Sequence, residues 1–223
     1  MRYQTKYFVS PSFTHEKLEP PFLRDVIDVF EDRMRHWLIA PAKQLLDVQH
    51  GDVAAVALAI NYFEGIEIYI TGEDSDRKSK AFFCRGFMRV FPGISGPVEL
   101  QQKIAETLYD LLRCGFAHDA LFRKRIHFST ARPEPILVTW PRKNGVFLPD
   151  GDMESAVINP RSFVAGVERH LDSYVRKLKS KGEPDLLSKF KVIVDLKWGL
   201  TDAPPAVGLS EQEFWGGSES PRV

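Results

Sequence analysis

The stretch from Val53 to Ile70 is apolar on nearly every side, interrupted by Asn61, Glu64 and Glu67. A helix of that composition has no face that prefers water, so other elements must wrap it. The polar interruptions argue for a core helix and against a membrane span. Gly51-Asp52 reads as a stop followed by an N-cap, and Gly72 as the closing residue. A chain of 223 residues can bury a sizeable core around such a helix.

The flanking sequence supplies the wrapping. From Phe22 the apolar residues Val26, Val29, Phe30, Met34 and Trp37 recur at three- and four-residue steps, predicting a helix to about Ala40. Pro41 should end or kink it, and Ala42 to Val48 supplies a further short helical piece. A third helix is predicted over about Ser79 to Val90, stopped by Pro92-Gly93 and followed by a loop at 94–97. A fourth begins at Val98, with Leu100, Ile104, Leu108, Leu111, Leu112 and Phe116 as its buried stripe.

The period then changes. Ile126–Phe128 and Ile136–Trp140 read as strands, Asn144-Gly145 is a hairpin turn signal, and Val146–Leu148 and Ala156–Ile158 complete a small sheet. Asn159-Pro160 caps a fifth helix running to about Leu178, and a sixth covers about Asp185 to Trp198. The expected architecture is mainly α: an N-terminal arm (1–21), a helical bundle (22–199) carrying a β insertion (125–158), and a loose tail (200–223).

Lysine plus arginine (30) balances aspartate plus glutamate (30), so no global field draws nucleic acid or an anionic membrane. Polyanion binding has to come from local clustering. Between Arg113 and Lys143 there are seven cations against two carboxylates, the cations including Arg123, Lys124, Arg125, Arg142 and Lys143. Such a patch suits an RNA backbone, with Trp140, Phe147 and Phe128 as stacking faces; a solvated surface is the plainer alternative. Two cysteines and an N-terminus without an apolar signal core lead to the expectation of a reducing, cytoplasmic setting. No trusted metal-ligand spacing or glycine-rich phosphate loop stands out, so neither a metal nor a cofactor is expected.

The densest chemistry lies in Leu111-Leu112-Arg113-Cys114-Gly115-Phe116-Ala117-His118, late in the fourth helix. A guanidinium presents a planar fork of donors matching phosphate oxygens, and an imidazole moves protons near neutral pH. RNA carries its own nucleophile, the 2′-hydroxyl, so a base or acid, a cation and good positioning suffice for cleavage. On one ideal helix the two residues stand roughly 140° apart, which calls for a helix distortion near Gly115 or a second protomer. A structural alternative pairs Arg113 with Asp110 and lets His118 cap the helix end. Glu64 is either a structural partner of Arg113 or the group that orients it.

This motif resembles the Arg-x4-6-His signature of the HEPN superfamily, over roughly residues 22–180, and Asn159-Pro160-Arg161-Ser162-Phe163 adds to the likeness. The resemblance implies a four- to five-helix bundle, a homodimer whose two motifs form one composite site, and metal-independent ribonuclease activity of the toxin and defence type. Arg113 and His118 would be its catalytic residues, with a cognate antitoxin or other protein as partner. Cys114 departs from the pattern, since catalytic members usually carry Asn, Asp or His after the arginine. A non-catalytic HEPN-like module binding RNA, a nucleotide or a protein is the second expectation.

Overall fold

A computed structural model describes residues 8–93, 98–119, 121–148, 150–180 and 182–199. The tail at 200–223, the loop at 94–97 and the first seven residues of the arm lie outside the described residues. Nine α-helical segments are described: α1 (Leu23–Arg33), α2 (Ala40–Leu45), α3 (Asp52–Ala59), α4 (Asn61–Thr71), α5 (Ser79–Val90), α6 (Val98–Leu108), α7 (Gly115–Asp119), α8 (Pro160–Lys179) and α9 (Pro184–Trp198). The fold is mainly α with a small sheet.

The apolar run is central, as its composition demands, but it is two helices. Asn61 Nδ2 donates to the carbonyls of Ala57 (2.9 Å) and Leu58 (3.2 Å), which an uninterrupted helix would offer to main-chain donors. The side chain thereby breaks the ladder at Ile60 and starts α4. The run Asp52–Thr71 is long and apolar enough to cross a membrane, yet half of it is buried inside the protein, which fits a core helix. Gly51 occupies the N-cap position and Asp52 the first turn, one residue off the expected cap. Gly72 closes α4 in the left-handed region, with φ of 72°.

Phe63 of α4 is the hub of the core. Its ring meets Phe83 at 5.3 Å, Phe87 at 5.4 Å, Phe91 at 5.9 Å and Phe163 at 5.7 Å, joining α4, α5 and α8. The contact is this close because position 86 has no side chain: a Cβ there would overlap the Phe63 carbonyl oxygen. A second aromatic group, Phe30 with Tyr69, Tyr174 and Phe190, ties α1 to α4, α8 and α9.

Pro41 does not end the first helix. A π-helical segment (Met34–Ile39) precedes it, and the widened turn admits the proline ring at the start of α2. The arm packs on α1: the Ser12 main-chain N–H and hydroxyl donate to Asp32 (2.8 and 2.9 Å), and Lys17 pairs with Asp25 at 2.6 Å.

The insertion forms two separate sheets. In the first, β1 (Ile126–Phe128) runs parallel to β5 (Ser155–Ile158), and β2 (Ile136–Thr139) runs antiparallel to β5, giving the order β1-β5-β2. In the second, β3 (Arg142–Lys143) and β4 (Val146–Phe147) flank Asn144-Gly145, both with positive φ, as a type I′ hairpin requires. Asn159 Oδ1 accepts from the Ser162 N–H at 3.1 Å and so caps α8.

Candidate functional site

Arg113 does not sit on a regular α-helix. Tyr109–Cys114 is π-helical, inserted between α6 and α7. π-Turns bring residues i and i+5 together, and the Tyr109 hydroxyl accordingly shares a hydrogen bond with the Cys114 side chain. The Leu111 carbonyl, released from the regular ladder, accepts instead from the Arg123 N–H at 3.2 Å. Gly115 lets that returning strand of chain lie against the helix, since a Cβ would stand 3.1 Å from the Leu121 carbonyl oxygen and 3.2 Å from the Arg123 nitrogen.

The widened turn shifts everything after it. The expected stripe is buried at Leu100, Ile104, Leu108 and Leu112, but Gly115 then takes the inward position. Leu111 is half-buried and packs against the core, whereas Phe116 is 36% exposed, which corrects the expectation that it belongs to the buried stripe. His118 is exposed on α7, beyond the distortion, while Arg113 is half-buried within it.

The charges around Arg113 are arranged differently from either expectation. Asp110, its expected structural partner, accepts from Lys80 of α5 at 3.0 Å. Glu64 is half-buried, and its Oε1 accepts from the Ser75 hydroxyl at 2.9 Å. Arg113 and Glu64 both lie within electrostatic range of Tyr109. Burial, the Cys114 hydrogen bond and the Glu64 charge push the Tyr109 phenol up to about 12, against the opposing pull of Arg113. Phe83 stacks edge-on against the same ring at 5.2 Å. Arg113 therefore shares the surroundings of the Tyr109 phenol with Glu64 and has no ion pair to another described residue.

The basic residues divide into two groups. Arg123 and Lys124 are exposed beside the π-helical segment, with Arg123 Nε on Asp119 at 2.9 Å. Arg125 Nη1 is engaged by the Met153 carbonyl at 2.9 Å, and its own carbonyl accepts from Ala156, so it helps join β1 to β5. Arg142 and Lys143 are exposed on the hairpin, with Arg142 lying 4.0 Å above the Phe147 ring. Arg142 shares a cavity wall with Leu100 and Ile104 of α6. Ile104 precedes Arg113 by nine residues, about two helical turns. The hairpin pair thus stands well apart from Arg113 along the helix axis.

The proposed stacking faces are not free. Trp140 is buried, its indole N–H donating to the Leu148 carbonyl at 2.8 Å. Phe128 is half-buried and stacked 5.7 Å from Phe122, and Arg142 covers one face of Phe147. Cys84 is a core residue whose thiol burial pushes up to about 11.

Sequence reasoning passed over Tyr109 and Ser75, the groups that touch Cys114 and Glu64. Tyr109 precedes Arg113 by four residues, a spacing that marks it as a neighbour of the motif. It also passed over the clamp on Glu67. That carboxylate is fully buried and receives Arg85 Nε at 2.7 Å and Arg89 Nε at 2.6 Å. The i,i+4 arginines of α5 were its signal. Compared with protein-family models, with curated proteins and with solved structures, the chain matches none.

Proposed function

We propose that the protein is a metal-independent endoribonuclease acting on single-stranded RNA in the cytoplasm. The observation that carries this reading is an arginine with no paired carboxylate among the described residues, five residues from an exposed histidine, on a helix widened at that point. A guanidinium without an ion pair to the described residues remains available to a phosphodiester, and its fork suits the charge developing on a phosphorane.

In the proposed mechanism His118 removes the proton of a 2′-hydroxyl or protonates the leaving 5′-oxygen. The 2′-oxygen attacks the adjacent phosphorus, the 5′-oxygen departs, and a 2′,3′-cyclic phosphate remains. Arg113 neutralises the non-bridging oxygens as charge accumulates. Glu64, within electrostatic range of the same phenol as Arg113, restrains the guanidinium. Arg123 and Lys124 guide the backbone, and Arg142 and Lys143 extend the track onto the hairpin. HEPN-like pairing of two protomers would set the His118 of one against the Arg113 of the other.

Cys114 favours a second reading, a non-catalytic HEPN-like binding module, because its side chain is occupied by Tyr109. The two separate in one assay: cleavage of mixed-sequence RNA in excess EDTA by the unmodified protein, Arg113→Ala and His118→Ala. The proposal expects cleavage lost by about 100-fold or more in each variant, the scale of removing one stabilising or proton-transferring group. RNA binding without cleavage in the unmodified protein would establish the module instead.

A further inference from the structure

The C-terminal half of α8 carries an arrangement that the ribonuclease reading does not use. His170, Ser173, Tyr174 and Lys177 follow the i, i+3, i+4, i+7 spacing of one helical face. With Arg89 from α5, Ile70 from α4, and Glu183 and Leu186 near the start of α9, they line an open cavity of about 420 Å³. That volume suits a small ligand.

The polar groups are held with their donors in reserve. Arg89 is fixed from behind by the buried Glu67 carboxylate through Nε at 2.6 Å and Nη2 at 3.5 Å, leaving Nη1 without a described partner. His170 Nδ1 meets the buried Tyr62 hydroxyl at 2.9 Å. Burial and the nearby charges of Arg89 and Lys177 hold the His170 imidazole down at about 4, so it is neutral at pH 7. Donation by the buried Tyr62 hydroxyl to Nδ1 would place the ring proton on Nε2, where an acceptor can take it. Lys177 has only a loose 3.8 Å contact with Glu183, with both side chains about half exposed. Ser173 adds a hydroxyl, and Ile70, Leu186 and the Tyr174 ring supply apolar wall.

We propose that this cavity is a binding site for a small phosphomonoester. Arg89 and Lys177 would meet the phosphate charge, the Ser173 hydroxyl and His170 Nε2 would donate to its oxygens, and Ile70, Tyr174 and Leu186 would cover the organic part. A dianion matches two cations, and four donors match the three terminal oxygens of a phosphomonoester better than the two of a carboxylate. The site is separate from Arg113. Lys80, which holds Asp110, and Arg89 lie nine residues apart on α5, about 13.5 Å at the helical rise.

The test follows the His170 ring resonances of the full chain by NMR while phenyl phosphate, inorganic phosphate or acetate is added. Phenyl phosphate is expected to bind more tightly than inorganic phosphate and to raise the pH at which His170 titrates. Lys177→Ala and Ser173→Ala, both at exposed positions, are expected to weaken that binding by about tenfold or more, the weight of one charge-assisted contact. Resonances unmoved by about 10 mM phenyl phosphate, acetate binding as tightly, or equal binding by both variants would overturn the proposal. RNA cleavage by Arg113 and His118 does not enter this readout, so the two proposals stand or fall separately.

Discussion

The packing of α4 on α5 sets the position of Glu64 and Glu67, and two glycines test it in opposite directions. Gly65 and Gly86 both lie inside helices, where alanine is favoured over glycine by about 0.5–1 kcal/mol. A Cβ at Gly65 meets nothing within 4 Å, so Gly65→Ala should keep the whole gain. A Cβ at Gly86 overlaps the carbonyl oxygen and carbon of Phe63, which are backbone atoms of a helix and cannot rotate aside. The two helices would have to separate, loosening the Phe63–Phe83–Phe87 group. Overpacking of this kind costs about 1–3 kcal/mol, and the rigid neighbour places Gly86→Ala at the upper end. Set against the helical gain, the net loss is about 2 kcal/mol. For a chain of this size, about 1 kcal/mol moves Tm by roughly 2–4 °C. Thermal and urea unfolding should therefore show Gly65→Ala raised by a few degrees and Gly86→Ala lowered by about 4–8 °C. Gly86→Ala equal to or more stable than Gly65→Ala would refute this account of the α4–α5 contact.

Three further outcomes follow from the buried polar groups and the π-helical segment. Glu67→Gln removes a fully buried charge from Arg85 and Arg89, but both arginines are nearly half exposed and can rehydrate, so urea unfolding should show a loss of about 2 kcal/mol. His170 titrates at about 4 in the folded protein against an ordinary 6.5, so the unfolded chain binds more protons between those values. Its contribution is full above pH 6.5 and fades as pH falls toward 4. Stability measured from pH 7 to 4 should accordingly fall less in His170→Gln than in the unmodified protein, by up to about 3 kcal/mol; parallel curves would contradict the burial of this ring. Gly115→Ala crowds the Leu121 carbonyl and Arg123 N–H, and amide exchange at Arg123 should accelerate by about tenfold as its bond to Leu111 weakens.

Local signals were legible wherever a residue acts on its own neighbours. Asn159-Pro160 announces α8 because the cap bond to Ser162 and the proline at the first position are both local. Asn144-Gly145 announces the hairpin because its positive φ values belong to those residue types. The apolar run is visible as a core element, but its break at Asn61 depends on a side chain taking main-chain acceptors, which periodicity does not register. The π-helical segment at Tyr109–Cys114 is hidden for a stronger reason: the Leu111 carbonyl is satisfied by a donor twelve residues onward. That hidden turn is why Phe116 faces outward. Long-range pairing is equally silent, as with parallel β1 and β5 thirty residues apart, or Lys80 taking the Asp110 expected for Arg113. The motif itself was legible as residue types, whereas the absence of a paired carboxylate at Arg113 among the described residues emerges only from the assembled charges.

The central claim is cleavage through the 2′-oxygen by Arg113 and His118, and a pair of substrates tests it most directly. A single-stranded RNA and the same sequence fully 2′-O-methylated are incubated with the protein in EDTA, and the new ends are analysed. The account predicts cleavage of the RNA alone, with 2′,3′-cyclic phosphate termini, and its loss in Arg113→Ala and His118→Ala. Cleavage of the methylated strand, or cleavage undiminished in either variant, would contradict it.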